Sequence, residues 1–353
     1  MARIHGTHAR ERGGFVGGLA GAVTPRAALL VLGVLALQLA FIASYVGAFH
    51  HPDPDRVPVA VAAPDTTRSA LVEELEALPG EPLDVTVATA DDQEARDAVE
   101  DRSVAGAVVT GPAGDRYTLL VAGGAGAALV DAVEGTFREV ARQQDRPLTV
   151  EDVAPADEGD ARGLTSFYLV VGWCVGGYLC AAIFAMSYGA RPSNLARAVV
   201  RLTALALYAV AAGFGGAVIV GPVLDALPGG LLPLAALGAL VVFAVGATTL
   251  ALQGLLGVLG IGLAILLVVV LGNPSAGGAF PAPLLPPFWR EIGPFLPPGA
   301  GTWSTRSIAY FDGAALTGPL VTLGVWALAG TALTLLAAAL RRPGTVRVTA
   351  AAR

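Results

Sequence analysis

Residues 231–271 read LLPLAALGALVVFAVGATTLALQGLLGVLGIGLAILLVVVL, and no ionisable side chain occurs between Asp225 and Arg290. Two apolar runs fill this stretch, Leu231 to Leu252 and Leu255 to Leu271, and each is close to the roughly 20 residues that a helix needs to cross the hydrocarbon core. A soluble helix needs a polar face toward water, which neither run offers. We therefore predict a helical hairpin in a membrane, with its break at Gln253-Gly254.

Composition extends this prediction to the whole chain. Of its 353 residues, 54% are hydrophobic and only 14% are charged, which is typical of membrane proteins. The charges are segregated, because 24 of the 28 acids lie between His50 and Gly163 against nine arginines there. This pattern predicts one acidic soluble domain inserted into a basic, membrane-embedded remainder.

The basic residues and the cysteines exclude some classes of site. All 22 basic residues are arginine, so the chain lacks the lysine with which a Walker-type loop holds nucleotide phosphates. Cys174 and Cys180 lie six residues apart in one apolar run. They fall on different faces of a helix, and no disulfide between them is expected.

Six apolar segments predict six transmembrane helices. The first, residues 27–49, is longer than a signal-peptide core, so we predict an uncleaved anchor that follows a cytoplasmic segment, residues 1–26. The other five form a bundle within residues 163–340, and a cytoplasmic tail follows at residues 341–353. Their predicted bounds are 163–188, 198–224, 231–252, 255–271 and 317–340.

Residues 50–162 change to short β-branched runs that alternate with amphipathic segments, a pattern typical of an α/β domain. Strands are predicted at 57–63, 83–88, 104–110 and 117–122. The last two strands would form a hairpin across Gly111-Pro112-Ala113-Gly114. The fold class is therefore a membrane α-helical protein with an α/β domain inserted between its first and second transmembrane helices.

Residues 50–162 contain no catalytic cluster. The only histidines of this segment, His50 and His51, lie close to Asp53 and Asp55. Adjacent side chains of an extended chain point apart, and a metal site would need further ligands from elsewhere. We therefore predict no metal site.

The arginines predict the orientation in the membrane. Six crossings put both termini on one side, where the short segments carry eleven arginines against a single acid, Glu11. The positive-inside rule makes that side cytoplasmic. Residues 50–162 are then extracytoplasmic, and we expect a multi-pass protein of the plasma membrane.

The segment 272–313, between the last two predicted helices, has eight prolines and seven aromatic residues. Two interpretations are open. The segment either dips into the bundle, where irregular backbone must be shielded by protein or line a cavity, or lies at the interface as a cap anchored by its aromatic side chains.

This segment resembles the last external loop of type-2 ABC transporter permeases, especially those of the phage-infection-protein-like branch. The order of one helix, an external domain and five more helices is similar as well. Ser275-Ala276 departs from the hydroxyl-rich pair expected before the glycines. The resemblance is carried by Asn273-Pro274-Ser275-Ala276-Gly277-Gly278, Phe280-Pro281, Leu285-Pro286, Phe288-Trp289, Leu296-Pro297-Pro298-Gly299, Arg306 and Tyr310-Phe311-Asp312-Gly313.

The resemblance implies a permease subunit of an exporter that works as a homodimer or paired permease with a separate cytoplasmic ABC ATPase. ATP would act through that partner, and no cofactor, enzymatic activity or nucleic-acid partner is predicted for this chain. An external gate would be formed by Asn273, Pro274, Gly277, Gly278, Pro286, Trp289, Pro297 and Arg306.

The resemblance also implies that the segment 189–201 receives force from the ATPase, through Arg191, Ser193, Asn194 and Arg197. In the alternative interpretation, its arginines only set the topology and contact anionic lipid headgroups.

Two other functions are open at this point. In the first, the acidic domain is a surface receptor or an envelope assembly factor and the helices are only a scaffold. The second, an embedded hydrolase, ranks last because no paired nucleophile and base occur in the apolar segments. The absence of charge from these segments also argues against a proton-driven transporter.

Overall fold

The computed structural model describes residues 24–111 and 114–340. The predicted segments 1–26 and 341–353, apart from residues 24–26, and the hairpin tip at Pro112-Ala113 lie outside the described residues. Contacts divide the chain into two compact units, one up to Ala43 and one from Ser44 onward.

The described residues are mostly helical. The helices, numbered in chain order, are α1 (Pro25–Phe49), α2 (Asp65–Glu76), α3 (Asp92–Glu100), α4 (Ala127–Gln143), α5 (Thr165–Tyr188), α6 (Leu195–Val218), α7 (Leu231–Leu256), α8 (Leu259–Ile265), α9 (Pro287–Ile292), α10 (Pro297–Tyr310) and α11 (Thr317–Ala339). Five of them, α1, α5, α6, α7 and α11, are long and apolar enough to cross a membrane. The protein is thus a helical membrane protein with several candidate spans.

Five strands lie between α1 and α5 in sequence: β1 (Val57–Ala62), β2 (Leu83–Thr89), β3 (Gly106–Thr110), β4 (Tyr117–Val121) and β5 (Leu148–Asp152). They form one sheet in the order β2-β1-β3-β4-β5. Only β3 and β4 pair antiparallel, and the other neighbours are parallel. The four predicted strands are confirmed. β5 was missed because its residues are mostly exposed, so it has no apolar alternation.

Both faces of the sheet are covered. Side chains alternate between the faces of a strand, so Val59 and Val61 of β1 pack beneath α2 and α4. Ala60 and Ala62 pack on the opposite face, against α3. The sheet therefore lies between two layers. Each layer also receives a side chain from the segment 273–316, which contains nearly all of the predicted loop 272–313 and connects the helical turn that ends at Gly272 with α11.

Helix α7 is the centre of the helical bundle and packs against α5, α6 and α11. Glycines allow the close approach. A Cβ on Gly177 of α5 would lie 2.7 Å from the carbonyl oxygen of Val242, and one on Gly330 of α11 would lie 2.5 Å from the amide nitrogen of Thr248. Small residues at such crossings are the usual basis of helix packing in membranes.

The predicted helical hairpin is wrong in one respect. Gln253 and Gly254 are buried within α7, and the chain turns at Gly257, which has a φ of 67°. A polar side chain does not end a helix, whereas a glycine in the left-handed region does. Helix α8, with its π-helical continuation Leu266–Gly272, has 14 residues and so measures at most about 21 Å, less than the roughly 30 Å of the hydrocarbon core.

Candidate functional site

The backbone that follows α8 is irregular and buried. Residues 272–278 are all buried although they form neither helix nor strand after Gly272. The hydroxyl of Ser275 donates to the carbonyl oxygens of Leu271 and Gly272, at 2.7 and 3.2 Å. Buried backbone polar groups need such partners because water is absent. The segment is therefore folded as an inner part of the protein.

Helix α10 enters the bundle. Ten of its residues, Pro297–Ser307 apart from Trp303, are buried, and the helix packs against α5, α7 and α11. Gly301 makes the approach possible, because a Cβ there would lie 2.7 Å from a methyl carbon of Val170 on α5. The segment 273–316 thus dips into the bundle, as in the first of the two interpretations.

Arg306 of α10 joins three parts of the chain. Its guanidinium donates to the carbonyl oxygens of Gly277 at 2.7 Å, Gly278 at 3.0 Å and Gly163 at 3.0 Å. The side chain is 4% exposed. Burial lowers the pKa of Arg306 to about 10, while Asp160 and Tyr310 act in the opposite direction. A planar guanidinium suits this role, since it presents several donors in a fixed geometry.

A second link runs from α10 to the start of α5. The hydroxyl of Tyr310 donates to Oδ2 of Asp160 at 2.8 Å, and Oδ1 of Asp160 accepts from the amide of Thr165 at 2.8 Å. Burial and the bond to Asp160 raise the pKa of Tyr310. Asp160 is 4% exposed, so this carboxylate is a buried bridge between the sheet segment and α5.

The segment 273–316 also contacts both faces of the sheet. Leu284 belongs to the core that lies beneath α2 and α4, and Phe311 belongs to the core on the α3 face. Just before the start of β1, Asp55 forms an ion pair with Arg290, with 2.8 Å between Nη2 and Oδ2. The sheet, this segment and the bundle are therefore packed as one body.

A cavity of about 750 Å³ lies where the sheet meets this segment. Val99, Ala105 and Leu129 line it from the sheet side, and Trp303 and Arg306 line it from α10. Ligand pockets are usually concave, mostly apolar and of this size, with a few polar groups that orient the ligand. The cavity is therefore the candidate binding site of the described residues.

The predicted external gate residues divide into two groups. Asn273, Pro274, Gly277, Gly278, Pro297 and Arg306 are buried, and Arg306 donates to the carbonyl oxygens of the two glycines. Pro286 and Trp289 lie apart from them, at α9, where the ring of Trp289 packs on Phe288 with centroids 5.0 Å apart. The residues that the sequence reasoning missed are Arg102 and Asp160, which are hidden among the many charges of the acidic segment.

Three of the predicted ATPase-coupling residues, Arg191, Ser193 and Asn194, lie on the turn between α5 and α6, and the fourth, Arg197, lies in the first turn of α6. Arg191 donates to the carbonyl oxygen of Leu255 at 3.0 Å, which ties this turn to the end of α7. Asn194 caps α6 by accepting from the amide of Arg197. Ser193 and Arg197 are exposed. Two of the four residues therefore hold the turn, and two are available to a partner.

Arg201 corrects the expectation that the apolar segments are free of charge. It lies within α6, is 6% exposed, and donates to the carbonyl oxygens of Tyr188 and Gly189 at 3.1 and 2.9 Å. A cation at the C-terminal end of a helix satisfies orphan carbonyls and complements the helix dipole. Its contacts assign it a capping role for α5.

His50 and His51 do not come together with other ligands. His50 contacts the carbonyl oxygen of Val46 at 3.0 Å, and His51 pairs with the exposed Asp53. Among the described residues, no group of three or more histidine, cysteine, aspartate or glutamate side chains is arranged to hold a metal ion.

Comparisons with models of known protein families, with curated proteins and with solved structures gave no match.

Proposed function

We propose that the chain is the permease subunit of an ABC-type exporter, which works as a dimer and moves a substrate outward with ATP hydrolysed by a separate cytoplasmic ATPase. The observation that carries this proposal is the segment 273–316, whose buried irregular backbone and helix α10 enter the bundle. Irregular backbone at membrane depth is tolerated where protein shields it or where it lines a cavity. Since Arg306 joins this segment to α5 and the sheet, a movement of the helices would reshape the cavity.

The contacts between connecting segments support a six-crossing layout. At one end, a Cβ on Gly229, between α6 and α7, would lie 2.9 Å from the carbonyl oxygen of Ile308 in α10. At the other end, Arg191 contacts Leu255 beside the turn into α8. Helix α8 runs from this second end back to Gly272, which packs against Pro298. We infer that α8 is a sixth, shortened crossing, with the segment 273–316 filling the remaining depth.

The distribution of charge supports one orientation. The turn at Arg191 carries three arginines within residues 189–201 and no acid, and the positive-inside rule favours the cytoplasm for it. The acidic sheet, residues 50–162, would then lie outside together with the segment 273–316. On this proposal, the ATPase contacts the exposed Ser193 and Arg197, and Arg191 passes the movement to the turn between α7 and α8.

The test is copurification of the full-length chain from native membranes in a mild detergent, with the accompanying proteins identified. We expect an ABC ATPase whose activity rises when the chain is present. Arg197→Glu should reduce this stimulation at least fivefold, because it reverses a charge at the contact. The matched control is Arg162→Glu, which changes an exposed arginine at the other end of α5 and should leave the stimulation unchanged.

Two results would contradict the proposal. One is an ATPase whose activity is indifferent to this chain and to Arg197→Glu. The other is copurification of an envelope protein without an ATPase, which would favour the receptor or assembly factor. The full chain is needed in either case, because the cores of the sheet include Leu284 and Phe311 from outside residues 50–162.

A further inference from the structure

The cavity has an unusual balance of charge. Its wall is mostly apolar, and the only ionisable side chains among its described lining residues are Arg102 and Arg306. No carboxylate of the described residues forms an ion pair with either guanidinium. Buried charges in proteins are normally paired or coordinated, since burying a charge without a partner is costly. The cavity therefore presents two positive groups without a matching negative group in its wall.

Arg102 is held against aromatic rings at this site. Its guanidinium carbon lies 3.6 Å from the centroid of Trp303 and 4.8 Å from that of Phe311. It donates to the carbonyl oxygen of Trp303 at 2.9 Å and to the hydroxyl of Ser307 at 2.5 Å. These contacts fix the guanidinium plane, and none of them neutralises its charge.

Arg306 retains an unused donor. Its two terminal nitrogens donate to three carbonyl oxygens, whereas its Nε is buried and has no partner among the described residues. Asp160 attracts Arg306, but its oxygens bind Tyr310 and Thr165. A buried N–H without an acceptor is costly, so the guanidinium of Arg306 is not fully satisfied by its protein contacts.

The electrostatic environment of Arg102 also indicates a site that lacks a negative group. Burial lowers the pKa of Arg102 to about 9, and the positive charge of Arg306 acts in the same direction. The two guanidiniums are thus near enough to repel each other, in a site where charge is poorly solvated. A negative group between the two guanidiniums would stabilise their positive charges and offset their mutual repulsion.

We propose that this cavity binds an amphiphilic anion, whose carboxylate or phosphate pairs with Arg102 and Arg306 and whose hydrocarbon part lies along the apolar wall. The wall includes the first turn of α11, at Thr317 and Pro319, so one side of the cavity is the start of a candidate membrane helix. A lipid-like molecule can reach such a position from the bilayer. This site goes beyond the proposed exporter function, and its test needs no ATPase.

The probe is 9,10-dibromostearate, whose bromine atoms quench tryptophan fluorescence at short range. The full-length chain is placed in nanodiscs of zwitterionic lipid at pH 8, and the quenching of Trp303 is taken as the difference between the natural chain and Trp303→Phe. We expect saturable quenching by the carboxylate, and at least tenfold weaker quenching by its uncharged methyl ester.

Two variants test the role of charge. Arg102→Gln should raise the half-saturating concentration at least tenfold, because it removes one cation and leaves the apolar wall in place. Arg116→Gln, which changes an exposed arginine at the far end of β3 and β4, is the matched control and should have no effect. Arg102 is half-buried, and the one backbone group of the bundle to which it donates is the carbonyl oxygen of Trp303. Arg102→Gln therefore leaves intact the three backbone contacts by which Arg306 holds the fold. Circular dichroism and gel filtration are the checks that both variants are folded.

Competition identifies the source of the anion. Displacement by oleate but not by dioleoyl phosphatidate would assign the site to a fatty-acid carboxylate, and the reverse would assign it to a phospholipid phosphate. Displacement by inorganic phosphate alone would contradict the need for an apolar chain. Equal quenching by the acid and its methyl ester, or an unchanged response in folded Arg102→Gln, would overturn the proposal.

Discussion

The two connecting regions of the bundle, the turn 189–194 and the segment 273–316, each depend on one buried arginine that donates to backbone carbonyls. Arg201 binds carbonyls 12 and 13 residues away, at the end of the neighbouring helix. Arg306 binds carbonyls 28, 29 and 143 residues away. The same chemistry therefore has a local effect at one end, where it caps a helix, and a long-range effect at the other, where it joins the sheet segment, the irregular backbone and α10.

The largest effect is expected for Arg306→Met. The substitution leaves three buried carbonyl oxygens without their donor, so unfolding should become easier by about 3 kcal/mol or more. The thermal midpoint of the full chain in detergent measures this loss. Arg306→Lys should recover only part of it, since an ammonium group lacks the planar fork that reaches all three acceptors.

The exposed Arg162→Gln is the control for this prediction and should leave the midpoint unchanged. A stable Arg306→Met variant would mean that Arg306 does not hold the segment 273–316 in place.

A second change at the same end, Tyr310→Phe, should cost about 2 kcal/mol, because hydrogen bonds to charged groups contribute roughly that much. It removes the hydroxyl from Oδ2 of Asp160 and keeps the aromatic ring. The same thermal measurement applies. Combining it with Arg306→Met should give a loss smaller than the sum, since both side chains act on the Gly163–Thr165 region. Simple additivity would argue against a shared network.

At the opposite end, Arg201→Gln should cost only about 1 kcal/mol. The carbonyls of Tyr188 and Gly189 belong to exposed residues, so water can replace the guanidinium there, whereas it cannot at Arg306. Arg197→Gln, one helical turn earlier and exposed, is the control. A loss as large as that of Arg306→Met would remove the contrast between the two regions.

The smallest effect is expected for Arg290→Gln. The ion pair with Asp55 lies at the surface, with side chains 26% and 41% exposed, and such pairs contribute about 0–1 kcal/mol. The contribution of the Arg290–Asp55 pair to stability should decrease further as salt is added. Thermal midpoints at low and high salt measure this contribution, and a loss above 2 kcal/mol would show that the start of β1 depends on this contact.

Local sequence patterns were sufficient to predict most of the fold. The apolar runs predicted α5, α6, α7 and α11, and the alternation of β-branched residues predicted the first four strands. Features that depend on tertiary contacts were not predictable. The end of α7 is decided by the backbone of Gly257 rather than by the polar Gln253. Helix α8 and its π-helical continuation together have only 14 residues, and the chain then continues into the buried irregular backbone after Gly272.

The candidate site was only partly visible in the sequence. Arg306, Gly277 and Gly278 were predicted because their segment resembles the last external loop of type-2 ABC transporter permeases. Arg102 was not, since it is one of nine arginines among 24 acids, and only the fold brings it to Trp303. Residues far apart in sequence leave no periodic signal when they meet across two layers, which is why the cavity could not be predicted.

The most direct test of this account is the accessibility of cysteines placed in the two connecting regions, because the account puts these regions on opposite sides of the membrane. In a chain whose Cys174 and Cys180 are replaced by alanine, Glu291→Cys and Ser193→Cys each introduce one thiol at an exposed position. A membrane-impermeant maleimide should label Glu291→Cys, beside the Arg290 that pairs with Asp55, in intact cells and Ser193→Cys only after permeabilisation. Labelling of both from the same side would contradict the six-crossing layout and the exporter proposal with it.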